Sequence, residues 1–518
     1  MNIKNRRKNM DSTKYIDNFF EDVINDLKKS KFKPIYKEEG IVSDIGDGII
    51  DIENLSDVGF YELLYLPKGV YALTLKIEKK RVQAVVLGDY KNIEVGDEVL
   101  KTSKAVSVPV GYELLGRVID PLGEPLDEKG KIQTDKFYPI EAEAVPMVRR
   151  DFVKNPLYTG IKIIDSMIPI GRGQRELIIG DSSLGKTSIA IDTIINQKDQ
   201  DIFCIYVSIG QKKSQIAKVI GELKRNNALD YTIVVAASAD DAPGLKFIAP
   251  YAGCAIAEYF RDQGKDALII YDDLTKHADA YRMLSLLLEI PPGREAYPGD
   301  IFYIHSKLLE RAGRRSDRYG GGSITALPII ETQSGRISAY IPTNLISITD
   351  GQIYLDRELF NMGFLPAIDI GKSVSRIGGK TQVDAMKKVA AKLKLDYSQF
   401  LEVEVFTKFG AKLEEKTQKL LIRGEALREI LKQQRFEHFD MPHQVVIFML
   451  HNEGYLEKIS LKKVRNYVDE VLKNIDINYP EIFINIKEKK DIDESIISKI
   501  KEIAEKILEN YKGNFNND

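Results

Sequence analysis

Two cysteines in 518 residues exclude a disulfide framework, and their setting excludes a cysteine-type metal site. Cys204 and Cys254 lie far apart in apolar stretches with no ligand spacing, so both read as core residues in a reducing cytoplasm. The five histidines (His277, His305, His438, His443, His451) form no zinc-type pattern and read as lone structural or solvated residues. An excess of either charge is also missing. With 75 Lys and Arg against 77 Asp and Glu the formal net charge is −2, and no global basic field argues for nucleic acid as a partner. No run approaches the ~18 consecutive apolar residues of a membrane span, and the charged N-terminus lacks the apolar core of a signal peptide. The expectation is a soluble protein that meets a membrane only through partners.

What is present is a change of texture along the sequence. A single core stops growing near ~250–300 residues, so about three domains are expected. Residues 1–36 form a basic, amphipathic extension. Tyr15, Ile16, Phe19, Phe20, Val23, Ile24 and Leu27 repeat at helical spacing behind Asp11-Ser12, a plausible N-cap, and either docking onto a partner or packing on its own domain suits such a face. From 37 to 105 short β-type runs (Gly40–Ile45, Gly48–Ile52, Val70–Leu75, Gln83–Leu87) alternate with turns such as Gly46-Asp47-Gly48, which predicts a small β-barrel. From 106 to 385 strands alternate with helices. Phe203–Val207, Thr232–Ala236 and Ala267–Tyr271 are continuous apolar runs, the mark of parallel strands buried on both faces. Over 386–518 glycine and proline become sparse and helical spacing prevails, as in Ile496, Ile500, Ile503 and Ile507, which predicts an all-α domain. The fold class is therefore multidomain: a small barrel, a central RecA-like α/β phosphate-loop domain, and a C-terminal helical domain.

Between the apolar run Glu176–Ile179 and the helix-patterned Ser188–Ile195 lies Gly180-Asp181-Ser182-Ser183-Leu184-Gly185-Lys186-Thr187, which fits G-x-x-x-x-G-K-[ST] in its required strand–loop–helix context. Such a loop turns successive N–H groups toward one point, and the helix N-terminus adds partial positive charge there. Lys186 is expected to reach the β- and γ-phosphates of ATP or ADP. The Thr187 hydroxyl is expected to be one ligand of a Mg²⁺ that keeps most of its waters, with Ser188 following in the helix. Ala267–Tyr271 ends in Asp272-Asp273, so Asp272 is the expected second metal-holding group, acting through water, and Asp273 a helix cap.

Hydrolysis also needs a group that orients or deprotonates water, an effect of roughly 10²–10⁴ in rate. Phosphate-loop ATPases of this strand order commonly hold a glutamate at the end of the strand after the loop helix. This sequence offers Gln211, whose amide cannot accept a proton. The site is thus expected to bind nucleotide and turn it over poorly.

The stretch Pro156–Asp181, together with Pro291–Asp300, Ala339–Asn344, Ser347–Gln352 and Ser373-Val-Ser-Arg-Ile-Gly-Gly379, resembles the alpha subunits of F-type ATP synthases over nearly the whole length. The resemblance implies a ring of three alpha- and three beta-type subunits with catalysis at the beta-side sites, a central-stalk gamma-type partner, and a peripheral-stalk or other anchor at the N-terminus. It implies a place at the inner face of the cell membrane, held there through the complex, and ATP synthesis or hydrolysis coupled to protons. It also implies that Arg376 reaches into the neighbouring beta-type site, and it adds Phe360, Pro366 and Gln433 to the nucleotide-binding residues. Ser182, Ser183 and Leu184 depart from the family's Arg-Gln-Thr. Leu365 stands for a common arginine, and Gln433-Gln-Arg435 for Gln-Gly-Gln. Each lost charge-assisted contact is expected to cost about 1.5–3 kcal/mol of nucleotide binding. The departures leave room for a diverged ATPase of the same build that powers another motor process, such as cell movement. A homohexameric nucleic-acid translocase is disfavoured by Gln211 and by the near-neutral charge. A scaffold without nucleotide is disfavoured by Lys186, Thr187 and Asp272.

Overall fold

The computed structural model describes residues 39–407 and 414–512; the amphipathic segment read over Tyr15–Leu27 lies outside them. Strands Glu39–Gly46 (β1), Ile49–Glu53 (β2), Glu62–Tyr65 (β3), Tyr71–Ile77 (β4), Val82–Val86 (β5) and Glu98–Ala105 (β6) close into a barrel in the order β1-β2-β5-β4-β3-β6, with β6 pairing back onto β1. Val42, Ile50, Ile52, Leu64, Ala72, Ala84, Val86 and Val99 fill it from alternate positions. The β1–β2 turn has φ of 48° at Asp47 and 85° at Gly48, the left-handed pair that a two-residue hairpin demands.

The middle of the sequence builds a mainly parallel sheet. Its strands are Val118–Ile119 (β7), Leu177–Asp181 (β8), Ile202–Gln211 (β9), Thr232–Ser238 (β10), Asp266–Asp272 (β11), Ser323–Thr332 (β12), Gly351–Leu355 (β13) and Val374–Ser375 (β14), in the order β14-β13-β8-β12-β11-β9-β10-β7. The runs are apolar throughout because both faces are covered. Ile178, Cys204, Tyr206, Leu268, Ile270 and Ile329 point into one core, and Leu177, Ile205, Val207, Ile269, Tyr271 and Ile330 into the other. Cys204 and Cys254 are both buried, as expected. The second core holds helix Pro243–Asp262 (α2), whose Glu258 receives Arg311 in a buried pair at 2.6 Å; the same guanidinium donates to the Ile140 carbonyl at 2.6 Å. The first core takes in the helix after β8, Lys186–Ile195 (α1). It runs on without a break into the C-terminal helices, where Ile430, Val445, Phe448 and Ile500 are buried. The phosphate-loop helix and the C-terminal domain therefore share one packed interior.

His277 and His305 are not lone residues as the sequence suggested. They lie side by side in the second core's layer, with ring nitrogens 3.2 Å apart, and burial pushes His277 down to about 4, so both are neutral at physiological pH.

Candidate functional site

The carboxyl ends of β8, β9, β11 and β12 meet at one edge of the sheet, the place where open α/β sheets bind ligands. β8 approaches β13 closely at Gly180, where a Cβ would lie 2.8 Å from the Leu355 carbonyl oxygen, so glycine is required there by packing. The loop then turns through positive φ at Ser183 (66°) and Gly185 (100°) before α1 begins at Lys186. Lys186 is buried, and its Nζ donates to the carbonyl oxygens of Gly180 (2.8 Å) and Asp181 (2.6 Å). Burial lowers its pKa, and the carboxylates of Glu331, Asp273, Asp272 and Asp181 pull the other way.

Beside it the Thr187 hydroxyl donates to Asp272 Oδ2 at 2.7 Å, and the Tyr206 hydroxyl donates to the same oxygen at 2.7 Å. Two hard oxygen donors side by side, with no cluster of His, Cys and acidic residues among the described residues to cage an ion, suit Mg²⁺ retained through water and phosphate. Gln211 Nε2 donates to Asp272 Oδ1 at 3.0 Å and to Asp273 Oδ2 at 3.4 Å, while Lys276 Nζ donates to Gln211 Oε1 at 2.7 Å. Lys276 thereby fixes which end of the amide faces the aspartates. Asp273 accepts from the Lys276 N–H at 2.8 Å and caps the following helix, Leu274–Leu287 (α3), as expected; burial raises its pKa to about 6.

The remaining sequence-derived residues are placed differently. Ser182 and Ser183 are exposed, whereas Leu184 turns into the first core. The Asp181 carboxylate is engaged by groups outside the loop. It accepts from the Thr332 hydroxyl (2.6 Å), the Gly335 N–H (2.8 Å) and Arg357 (3.0 Å). Arg357 opens helix Arg357–Asn361 (α5), so this ion pair ties to Asp181 the helix that also carries the exposed Phe360. Leu365 is exposed and joined to Pro366 by a cis peptide, and the Gln433 N–H donates to the Leu365 carbonyl at 2.8 Å. The side chain of Gln433 is occupied elsewhere: Oε1 accepts from the Lys162 N–H at 2.9 Å and Nε2 donates to the Gly160 carbonyl at 2.7 Å. Arg435 is drawn to the buried Glu222 at 2.5 Å.

Arg376 lies at the other end of the sheet. β14 runs antiparallel to β13 with Gly351 opposite Ser375, so the backbone leaves β14 below the start of β13, and the Arg376 N–H donates to the Asp350 carbonyl at 2.8 Å. Asp350 is level with Arg175, where the backbone runs up into β8, so about 20 Å of extended strand separates Arg376 from Asp181. Arg376 is exposed, and among the described residues its guanidinium donates only to carbonyls at the end of helix Tyr340–Ile348 (α4), Thr349 at 3.2 Å and Ile346 at 3.3 Å. Among the described residues it makes no ion pair.

Sequence reasoning misses four residues of this site. Tyr206 is hidden in an apolar strand run, and Arg357 has no motif. Lys276 follows the cap aspartate by one helical turn, a spacing that signals a contact with Asp273 but not with Gln211. Glu331, near the end of β12, is felt by Lys186; nothing local distinguishes it.

Comparison with known proteins matches three family models in succession: the beta-barrel domain of the ATP synthase alpha/beta family over residues 35–103, its nucleotide-binding domain over 160–375, and the C-terminal domain of the ATP synthase alpha/beta chain over 382–507. The protein is 53% identical over 494 residues to the ATP synthase subunit alpha of Petrotoga mobilis, covering 95% of its own length and 98% of that relative. It is 52% identical over 485 residues to the ATP synthase subunit alpha of Caldanaerobacter subterraneus subsp. tengcongensis, covering 94% and 96% respectively.

Proposed function

The chain belongs to the ATP synthase alpha/beta family, with alpha subunits as its relatives at 52–53% identity, and from that premise we propose that it is a noncatalytic ring subunit that lends Arg376 to its neighbour. Its own site binds ATP or ADP and hydrolyses little of it; Thr187, and Asp272 through water, would hold the Mg²⁺ that offsets the phosphate charge. Catalysis takes place in an adjacent beta-type subunit, in an alternating ring around a gamma-type stalk, with an anchoring subunit near the N-terminus. The ring meets the inner face of the membrane only through these partners.

The observation that carries this reading is the place of Arg376: exposed, without an ion pair among the described residues, and about 20 Å of strand from its own phosphate loop, a separation no side chain spans. The clamp on Gln211 supports the noncatalytic half. Its carbonyl oxygen already accepts from Lys276 and its amide already donates to two aspartates. Gln211→Glu is accordingly expected to leave turnover by the isolated subunit within about tenfold of the parent, far below the 10²–10⁴ of a working base. A larger gain in steady-state phosphate release would contradict the clamp.

Identity along nearly the whole length to ATP synthase alpha subunits favours proton-coupled ATP synthesis or hydrolysis as the process served. The exposed Ser182 and Ser183 and the exposed Leu365, where charged or amide groups are usual, favour the second reading of a diverged ring driving another movement. Two substitutions in the assembled complex test the site itself. Lys186→Ala is expected to weaken MgADP binding at this site roughly ten- to hundredfold while initial ATP turnover stays near the parent's. Equal loss of binding and turnover would place catalysis in this subunit. Replacing Ser182, Ser183 and Leu184 by Arg, Gln and Thr is expected to tighten MgADP binding by about tenfold or more, measured by equilibrium dialysis.

A further inference from the structure

Behind Arg376 lies a buried carboxyl group that the reading above does not use. Glu176 is fully buried where the backbone enters β8, with Oε2 accepting from Gln174 Nε2 at 2.7 Å and Oε1 without a hydrogen-bond partner among the described residues. The same Gln174 nitrogen donates to the Ser375 hydroxyl at 3.2 Å, and Gln174 is itself held by the Gly171 N–H at 2.8 Å. Ser375 in turn donates to the Pro169 carbonyl at 2.8 Å and accepts from the Gly378 N–H at 3.1 Å. The residue preceding the arginine is thus fixed on both sides. The fit is tight. A Cβ on Gly351 would lie 2.5 Å from Glu176 Oε2 and 2.2 Å from the Val374 carbonyl oxygen, so Gly351 lets the carboxyl group and β14 approach the same point.

We propose that Glu176 is a positioning residue for Arg376, acting through Gln174 and Ser375 to set where β14 delivers the guanidinium to the neighbouring site. The inference rests on the trans role of Arg376 proposed above. Burial holds the Glu176 carboxyl well above the usual carboxylate range, with Asp350 adding to the rise and Arg376 opposing it. Its Oε2 orients the Gln174 amide, which in turn holds the Ser375 hydroxyl beside the arginine.

The test is a double-mutant cycle in the co-expressed complex, reading kcat and KM for ATP hydrolysis. Glu176→Ala is expected to lower kcat about tenfold with KM unchanged, because displacing a reacting group by a fraction of an ångström is felt mainly in the transition state. Glu176→Gln, which keeps the shape and an oxygen that can accept from Gln174, is expected to recover most of that loss. On the Arg376→Ala background both are expected to be silent. Should Glu176→Ala not assemble, Ser375→Ala cuts the same connection with less volume lost and is expected to give the same pattern. Losses of equal proportion in both backgrounds would overturn the inference and make Glu176 a packing residue. An Arg376→Ala complex with parental turnover would instead overturn the trans role on which it rests.

Discussion

Arg376→Ala in the complex with a beta-type partner is expected to lower steady-state ATP hydrolysis by about 10³–10⁵-fold, the range of an arginine supplied in trans to a transferring phosphoryl group. The argument is geometric before it is chemical. Among the described residues β14 is the one antiparallel strand on the main path of the sheet, and its direction carries Arg376 to the edge opposite the phosphate loop. There Arg376 is exposed, and among the described residues its guanidinium hydrogen-bonds only to carbonyl oxygens at the end of α4, where the helix dipole favours a cation but leaves donors free for a second ligand. Losing two weak neutral contacts should hardly alter the stability of the subunit, so thermal unfolding is expected to stay at the parental value while turnover collapses. Arg376→Lys is expected to recover only a small part of the rate, since a point charge does not reproduce the planar fork. A variant that loses turnover and unfolds early in the same proportion would mean a structural arginine.

Arg311→Ala should give a large loss of stability, about 3–5 kcal/mol. The Arg311 and Glu258 side chains are 1% and 5% exposed, with nitrogen–oxygen distances of 2.6 and 3.2 Å, and Glu258 also meets Arg261 at 3.3 Å. Removing Arg311 leaves Glu258 buried with one weaker partner and releases the Ile140 carbonyl that tied the segment after the barrel to the α/β domain. Urea unfolding of the isolated subunit measures this as a lower midpoint. Removing Lys419, whose pairing with Glu415 is largely exposed, is expected to leave the midpoint unchanged. If the two variants unfold alike, the buried pair is not a keystone of the second core.

Much of the fold is legible in the amino-acid sequence, because long apolar runs and helical periodicity report burial directly. β1, β2, β4 and β5 show as short apolar runs. β3 and β6 do not, since Glu62-Leu-Leu-Tyr65 is only four residues long and β6 ends in exposed Ser103 and Lys104. The phosphate loop, Thr187 and Asp272 are legible because each sits at a strand end fixed by local sequence. Tyr206, Lys276 and Arg357 are not, because each meets the site through the side-by-side packing of strands and helices remote in sequence, which no local pattern encodes. The same holds for Arg376. Its motif marks it by resemblance, but its distance from its own site depends on the antiparallel turn of β14. The Gln433 amide is the converse case: the sequence marks it for nucleotide, and the fold commits its hydrogen bonds to the backbone of Gly160 and Lys162.

The most direct test of the central claim is steady-state ATP hydrolysis by the purified subunit alone, set against the assembled complex with its beta-type partner under the same conditions. The account predicts bound nucleotide with little turnover from the subunit alone, and turnover only in the complex. Robust hydrolysis by the subunit alone, indifferent to Arg376→Ala, would contradict it and would make Glu331, the remaining carboxylate that acts on Lys186, the first candidate for the missing base.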